Sequence, residues 1–169
     1  AVNRLVQRLD HHPLAIELAA ARLSSMDLTS LSEKMLHRES SAVLGTEQGL
    51  EGTLKWSWSM LQSWEQAALF QACFFRGGFG REALPPITDA TLTDISSLLH
   101  KSLVRRVAAG RYDLHEVVRE FSAEKRHQLP TATTIADRHS HHYLHTLIAL
   151  EPDWHNMNFA AATTHSERD

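Results

Sequence analysis

A single cysteine, five prolines and seven glycines punctuate 169 residues. One thiol excludes an internal disulfide. Its place in the apolar run ALFQACFF makes Cys73 read as a reduced, buried small hydrophobe, compatible with a cytoplasmic protein. No apolar run approaches the ~18 residues that a membrane span needs, and no stretch reads as a signal peptide. Charge of neither sign dominates: 17 basic and 20 acidic side chains leave a net charge of -3 with neutral histidines. That balance excludes an overall basic field drawing the chain to nucleic acid or acidic membranes. A phosphate-binding loop is also missing. No Gly-x4-Gly-Lys-Ser/Thr occurs, and the GGFG at 77–80 lacks both the spacing and the lysine, so no catalysis by this chain alone is expected.

What is present is helical periodicity in a chain 43% hydrophobic and 22% charged, an ordinary globular balance. There is no initiator methionine, and Val2, Leu5, Val6 and Leu9 already follow helical spacing. We therefore expect a piece of something longer that begins inside a helix. Pro13 fits a first helical turn, where its missing N–H costs nothing, with Leu14, Leu18, Ala19 and Leu23 on the stripe that follows. SLSE (Ser30 to Glu33) and SWEQ (Ser63 to Gln66) read as capping boxes opening further helices. A polar, turn-rich run from His37 to Gly49 separates those two helices. A helix with Leu50, Leu54, Trp58 and Leu61 on one face comes next. RGGFG stops the helix through ALFQACFF, and a short REAL helix ends at Pro85-Pro86.

Leu92, Ile95, Leu98 and Leu99 mark another amphipathic helix. Leu103 to Val107 and Arg111 to Leu114 then read as a β-hairpin across Ala109-Gly110. The following helix carries Val117, Val118, Phe121 and Leu129. Three helices, a hairpin and a helix are the order of a winged-helix domain. We expect a mainly α chain of three segments: residues 1–48, the end of a helical lid; 49–129, a winged helix with one small β-hairpin; and 130–169, the start of a helical repeat region. The repeat region is expected to hold a pair of helices, broken at Glu151-Pro152.

Several runs, in order, resemble the C-terminal portion of STAND-type (NB-ARC) signalling ATPases of the bacterial transcription-regulator kind. LDHHPLAIELAAARL is similar to that family's GLPL segment. TLKWSWSMLQSWEQAALFQACFFRGGFGREA is similar to its Trp-Ser-Tyr … Phe-x-Gly-Gly-Phe run. In LLHKSLVRRVAAGRYDLHEVVREFSAEK, Leu114-His115-Glu116 stands where the family has Met-His-Asp. DWHNMNFAAATTHSERD is similar to the stretch leading into tetratricopeptide-like repeats. The resemblance implies that Pro13, with Leu14, packs on the adenine of ADP or ATP and that His115 reaches the β-phosphate. Mg would accompany the nucleotide in a longer parent, whose nucleotide-binding domain would lie upstream and be the partner of this segment. No tight nucleotide binding is expected of the segment alone. Its role would be regulatory: ADP holds a closed state, and exchange for ATP frees the winged helix. Two departures stand out. His11-His12 replaces Gly-Leu, and Glu116 replaces Asp.

The residues alone allow plainer readings. Pro13 is then an ordinary first-turn proline, and His115 a helix-capping histidine. Lys101, Arg105, Arg106 and Arg111, with Arg119, Lys125 and Arg126, form the one basic collection. It is either a solvated face or the phosphate contacts of a DNA-binding winged helix. A helical interaction scaffold, self-associating through its repeats, is a third reading. Twelve histidines include a run from His139 to His145 in which His141 and His145 are four residues apart. Without a neighbouring cysteine or acidic ligand, they read as a polar helix face, and no metal site is assigned.

Overall fold

The computed structural model describes residues 2–37, 49–125 and 132–155. Among them the chain is mainly α-helical, with one small antiparallel sheet. Its contacts divide it into two units: Ala1–Gln62 with His100–Ser102, and Ser63–Leu99 with Leu103–Asp169.

The first unit holds α1 (Val2–Arg8), α2 (Pro13–Ala21), a 3-10 turn (Arg22–Ser24), α3 (Leu28–His37) and α4 (Gly49–Ser59). Leu5 and Leu9 join Ala15 and Ala19 of α2, Leu31 of α3 and Trp56 of α4 in one buried cluster. Alanines on the inner face of α2 leave room for α4, which packs against it. Local details depart from the sequence pattern. The helix tightens at Arg22, so Leu23 leaves the apolar stripe and is 46% exposed, while Arg22 turns in and is 5% exposed. The guanidinium of Arg22 donates to the Ser57 carbonyl at 3.4 Å and lies 5.8 Å from the Trp56 ring centre. Trp56, not Trp58, is the buried tryptophan of α4.

The cap of α3 lies three residues before SLSE. Asp27 accepts from the Ser30 N–H at 2.9 Å and from its hydroxyl at 2.6 Å, which places Ser30 inside the first turn. Those two bonds hold the Asp27 carboxyl below its ordinary pKa.

The second unit runs α5 (Ser63–Ala72), β1 (Phe79–Gly80), α6 (Leu84–Ile87), α7 (Leu92–His100), β2 (Arg105–Ala108), β3 (Arg111–Asp113), α8 (Glu116–Glu124) and α9 (Ala132–His155). The sheet order is β1-β3-β2, so the expected hairpin gains a third strand. Phe79 pairs with Tyr112 and Gly80 with Arg111 on one side of β3. On the other side Arg106 faces Tyr112 and Ala108 faces Arg111, which leaves Val107 as a bulge. Leu103 and Val104 are buried ahead of β2 and are not included in it. Phe75 stacks on Phe79 with centroids 4.6 Å apart, and Ile87, Ile95, Leu98, Leu114 and Val118 are fully buried.

Two proline expectations change. Pro85 and Pro86 do not end a REAL helix; they open α6, where first-turn positions need no intrahelical N–H. Pro152 does not break the chain into two helices, since α9 continues to His155. A single lost N–H bond near a helix end is tolerated in a 24-residue helix. The expected helix in DWHNMNFAAATTHSERD lies, beyond His155, outside the described residues, as does Leu129.

Cap signals hold α7 at both ends. At its start, Thr91 N–H donates to Asp94 at 2.7 Å and Asp94 N–H to the Thr91 hydroxyl at 3.3 Å. After its end, Leu103 N–H donates to the Leu98 carbonyl at 3.0 Å around Ser102, whose φ is +57°. That is a Schellman closure with serine in the place glycine usually takes.

Candidate functional site

Pro13 begins α2, and its predecessor His12 is extended (φ -73°, ψ 119°), the conformation that proline sterics favour. Two left-handed residues, Asp10 (φ +50°) and His11 (φ +55°), make the turn from α1 into α2. His11 thus takes, as a non-glycine, the left-handed conformation that suits the glycine of the resembling motif. The Pro13 ring is exposed, whereas Leu14 is 6% exposed. Adjacent helical residues point about 100° apart, so one cannot follow the other to the surface.

His115 is the N-cap residue of α8, half-buried, and makes no side-chain cap bond. Its carbonyl closes the first turn, accepting from Arg119 N–H at 3.0 Å. The residue therefore stands at the helix end whose N–H groups are free of intrahelical partners and whose local potential favours an anion. Pro13 and Leu14 belong to the first unit, His115 to the second.

The basic residues divide by what they touch. Arg105 is paired with Asp113 at 2.7 Å. Arg106 is exposed and lies 5.9 Å from the Tyr112 ring centre. Arg111 donates to the Gly77 carbonyl at 3.2 Å. Lys101 is half-buried in the turn after α7.

Arg119 does not lie on a solvated face: it is 5% exposed. It bonds Asp113 and Glu116, each at 3.0 Å, and its Nη1 donates to the Phe75 carbonyl and to that of Cys73 at 3.4 Å. Burial works to raise the Asp113 pKa, but the Arg105 bond, the Leu114 N–H and the two guanidinium charges outweigh it and hold the carboxyl below its ordinary value.

The burial of Arg119, though not its partners, is present in the pattern. Val118, Phe121 and Ser122 are the buried face of α8, and residue 119 lies on its edge.

Cys73 is half-buried, and burial pushes its thiol up to about 12, which leaves no thiolate for nucleophilic chemistry. The rings of His141 and His145 lie 6.1 Å apart, while no cluster of three metal-ligating side chains occurs among the described residues. Nor, among those residues, is any helix long and apolar enough to cross a membrane.

Against known proteins, the chain is 30% identical over 141 residues to a Mycobacterium tuberculosis protein provisionally named an HTH-type transcriptional regulator. The alignment takes in 74% of this chain and 16% of that protein. It is also 31% identical over 159 residues to an uncharacterized protein of Mycobacterium bovis, covering 83% of this chain and 40% of the other. No family model matches the chain, and no solved structure matches it. The chain thus spans under half the length of these relatives, and what it shares with them is a segment.

Proposed function

We propose that this chain is a regulatory, non-catalytic segment of a transcription-regulating protein, and that it reads whether ADP or ATP is bound by an upstream domain. The observation that carries the proposal is His115: a half-buried imidazole at the start of α8, with no cap bond of its own, where a phosphate oxygen can accept its N–H. Pro13 adds a rigid, exposed apolar ring at the start of α2, a surface suited to a flat base. Leu14 supports that turn from the core side. The phosphates of the nucleotide would supply the negative charge for His115 and helix N–H groups to bind, with Mg as their counter-ion. Motif resemblance across most of the chain and a relative named as a transcriptional regulator support the reading.

The test uses the full-length protein, measuring co-purified ADP and its release rate in wild type and His115→Ala. Faster ADP loss in the variant is expected. Equal retention defeats the nucleotide-sensing role.

One observation favours a second reading, direct DNA contact by the wing. All four residues of β2 are exposed, Arg105 and Arg106 among them. Arg105 is already committed to Asp113, and Arg111 to Gly77, which weakens that reading. Salt-dependent binding of a random duplex, lost in Arg105→Ala/Arg106→Ala, would establish it.

A further inference from the structure

His115 stands between clamped neighbours. The Arg119 guanidinium, one turn along α8, meets acceptors on three sides. Its Nη2 donates to Asp113 Oδ1 at 3.0 Å and reaches the Leu114 carbonyl at 3.5 Å. Nε donates to Glu116 Oε2 at 3.0 Å. Nη1 donates to the carbonyls of Phe75 and Cys73, which follow α5. Residues 113 and 116 are therefore held to one buried cation by their carboxylates and 114 by its carbonyl, while His115, whose side chain makes no cap bond, gives its carbonyl to the Arg119 N–H.

A planar fork of five N–H donors can serve acceptors spread around its edge; an ammonium on a flexible stem cannot. Asp113 is gripped a second time, by Arg105 at 2.7 Å. Glu116 has its carboxylate directed forward along the helix onto Arg119 and paired there.

We propose that Arg119 is the positioning residue for His115, fixing the direction in which its imidazole meets a phosphate, and that Glu116 acts on Arg119 rather than on the ligand. The proposal rests on the nucleotide-sensing reading of His115. Through the Phe75 and Cys73 carbonyls, the same guanidinium also fastens His115 to the end of α5, so the imidazole moves with that region of the unit rather than as a free loop.

Two measurements test this, the first without nucleotide. In the 169-residue chain with labelled histidine, the imidazole Cε1–H correlation of His115, identified by its loss in His115→Ala, is compared among wild type, Glu116→Gln and Arg119→Lys. The variants should split or broaden that signal and leave the His139 signal in place. A single, unshifted His115 signal in both variants overturns the proposal. If Arg119→Lys does not fold, Glu116→Gln decides alone, because its carboxylate is 63% exposed and not needed for the core.

The second measures ADP release from the full-length protein. Glu116→Gln should speed release by about three- to tenfold, the scale of one weakened charged hydrogen bond. In a His115→Ala background that increase should vanish. An increase of the same size with or without His115 refutes positioning. No effect of His115→Ala itself removes the phosphate role and this proposal's ligand with it, while the imidazole spectra still report whether Arg119 sets the ring.

Discussion

Gly77 and Gly78 share a backbone conformation, φ +86° in both, yet their surroundings differ completely. A Cβ on Gly77 would meet nothing within 4 Å, whereas a Cβ on Gly78 would stand 2.6 Å from the Tyr112 carbonyl oxygen. Alanine at either site pays the left-handed penalty, about 1–2 kcal/mol, partly offset by the smaller entropy loss of alanine on folding. Gly77→Ala should therefore cost about 1 kcal/mol. At Gly78 the close atom is backbone of the central strand and cannot rotate away. Relieving the contact means prising Phe79 from Tyr112, the pairing that joins β1 to the sheet. Overpacking of this kind adds about 1–3 kcal/mol, so Gly78→Ala should lose roughly 3 kcal/mol in all.

At about 2–4 °C per kcal/mol for a chain of this size, thermal melts followed by circular dichroism should fall by ~3 °C for Gly77→Ala and by ~6–12 °C for Gly78→Ala. Amide exchange at Phe79 and Tyr112 should accelerate only in the second variant. Equal melting shifts for the two would refute the close approach as the reason for glycine at 78.

Two further outcomes follow from local geometry. Ser102→Gly should raise stability by about 0.5 kcal/mol, read as a small upward shift in melting temperature, because glycine relieves the φ of +57° at the helix closure. A fall in stability would mean that the serine side chain contributes more than the strain removes. His139 packs between Phe75 and Tyr143, with centroids 5.7 and 4.7 Å away. Burial first, and the nearby His142 second, lower its pKa from 6.5. The unfolded chain then binds a proton more readily than the folded one. Stability should thus be undiminished above pH 6.5 and decline as pH falls from there to the lower folded value. In denaturant titrations at pH 7.5 and 5.5, His139→Leu should narrow the difference; an unchanged difference places the titration elsewhere.

The helices are legible in the sequence because their apolar stripes repeat. Leu5 and Leu9, Ile95 and Leu98, Val118 and Phe121 are spaced as one helix face requires, and all are buried. The hairpin is legible from two short runs flanking Ala109-Gly110. By contrast β1 is two residues long, Phe79 and Gly80, and no local pattern distinguishes a strand of that length from a loop. Only its register against β3 makes it one. Asp27 does not stand out as a cap, because Ser30 offers an equally good one three residues on. Placement of Pro13 and His115 at helix starts follows from their neighbours in sequence. The role of Arg119 does not, since its acceptors Cys73 and Phe75 lie more than forty residues away, and chain-distant carbonyls leave no periodicity to read.

The strand order β1-β3-β2 carries a kinetic consequence. Joining β2 to β3 closes a two-residue loop at Ala109-Gly110, while joining β1 to β3 closes one of roughly thirty residues. The entropy of closure differs by about 2 kcal/mol between the two events. The β2-β3 hairpin should therefore assemble early, as a local unit, and present β3 as a template. β1 docks only after the intervening helices α6 and α7 have shortened the path. Within the sheet, the edge of β3 that receives β1 is thus the seam that closes second on folding and opens first when the sheet loosens.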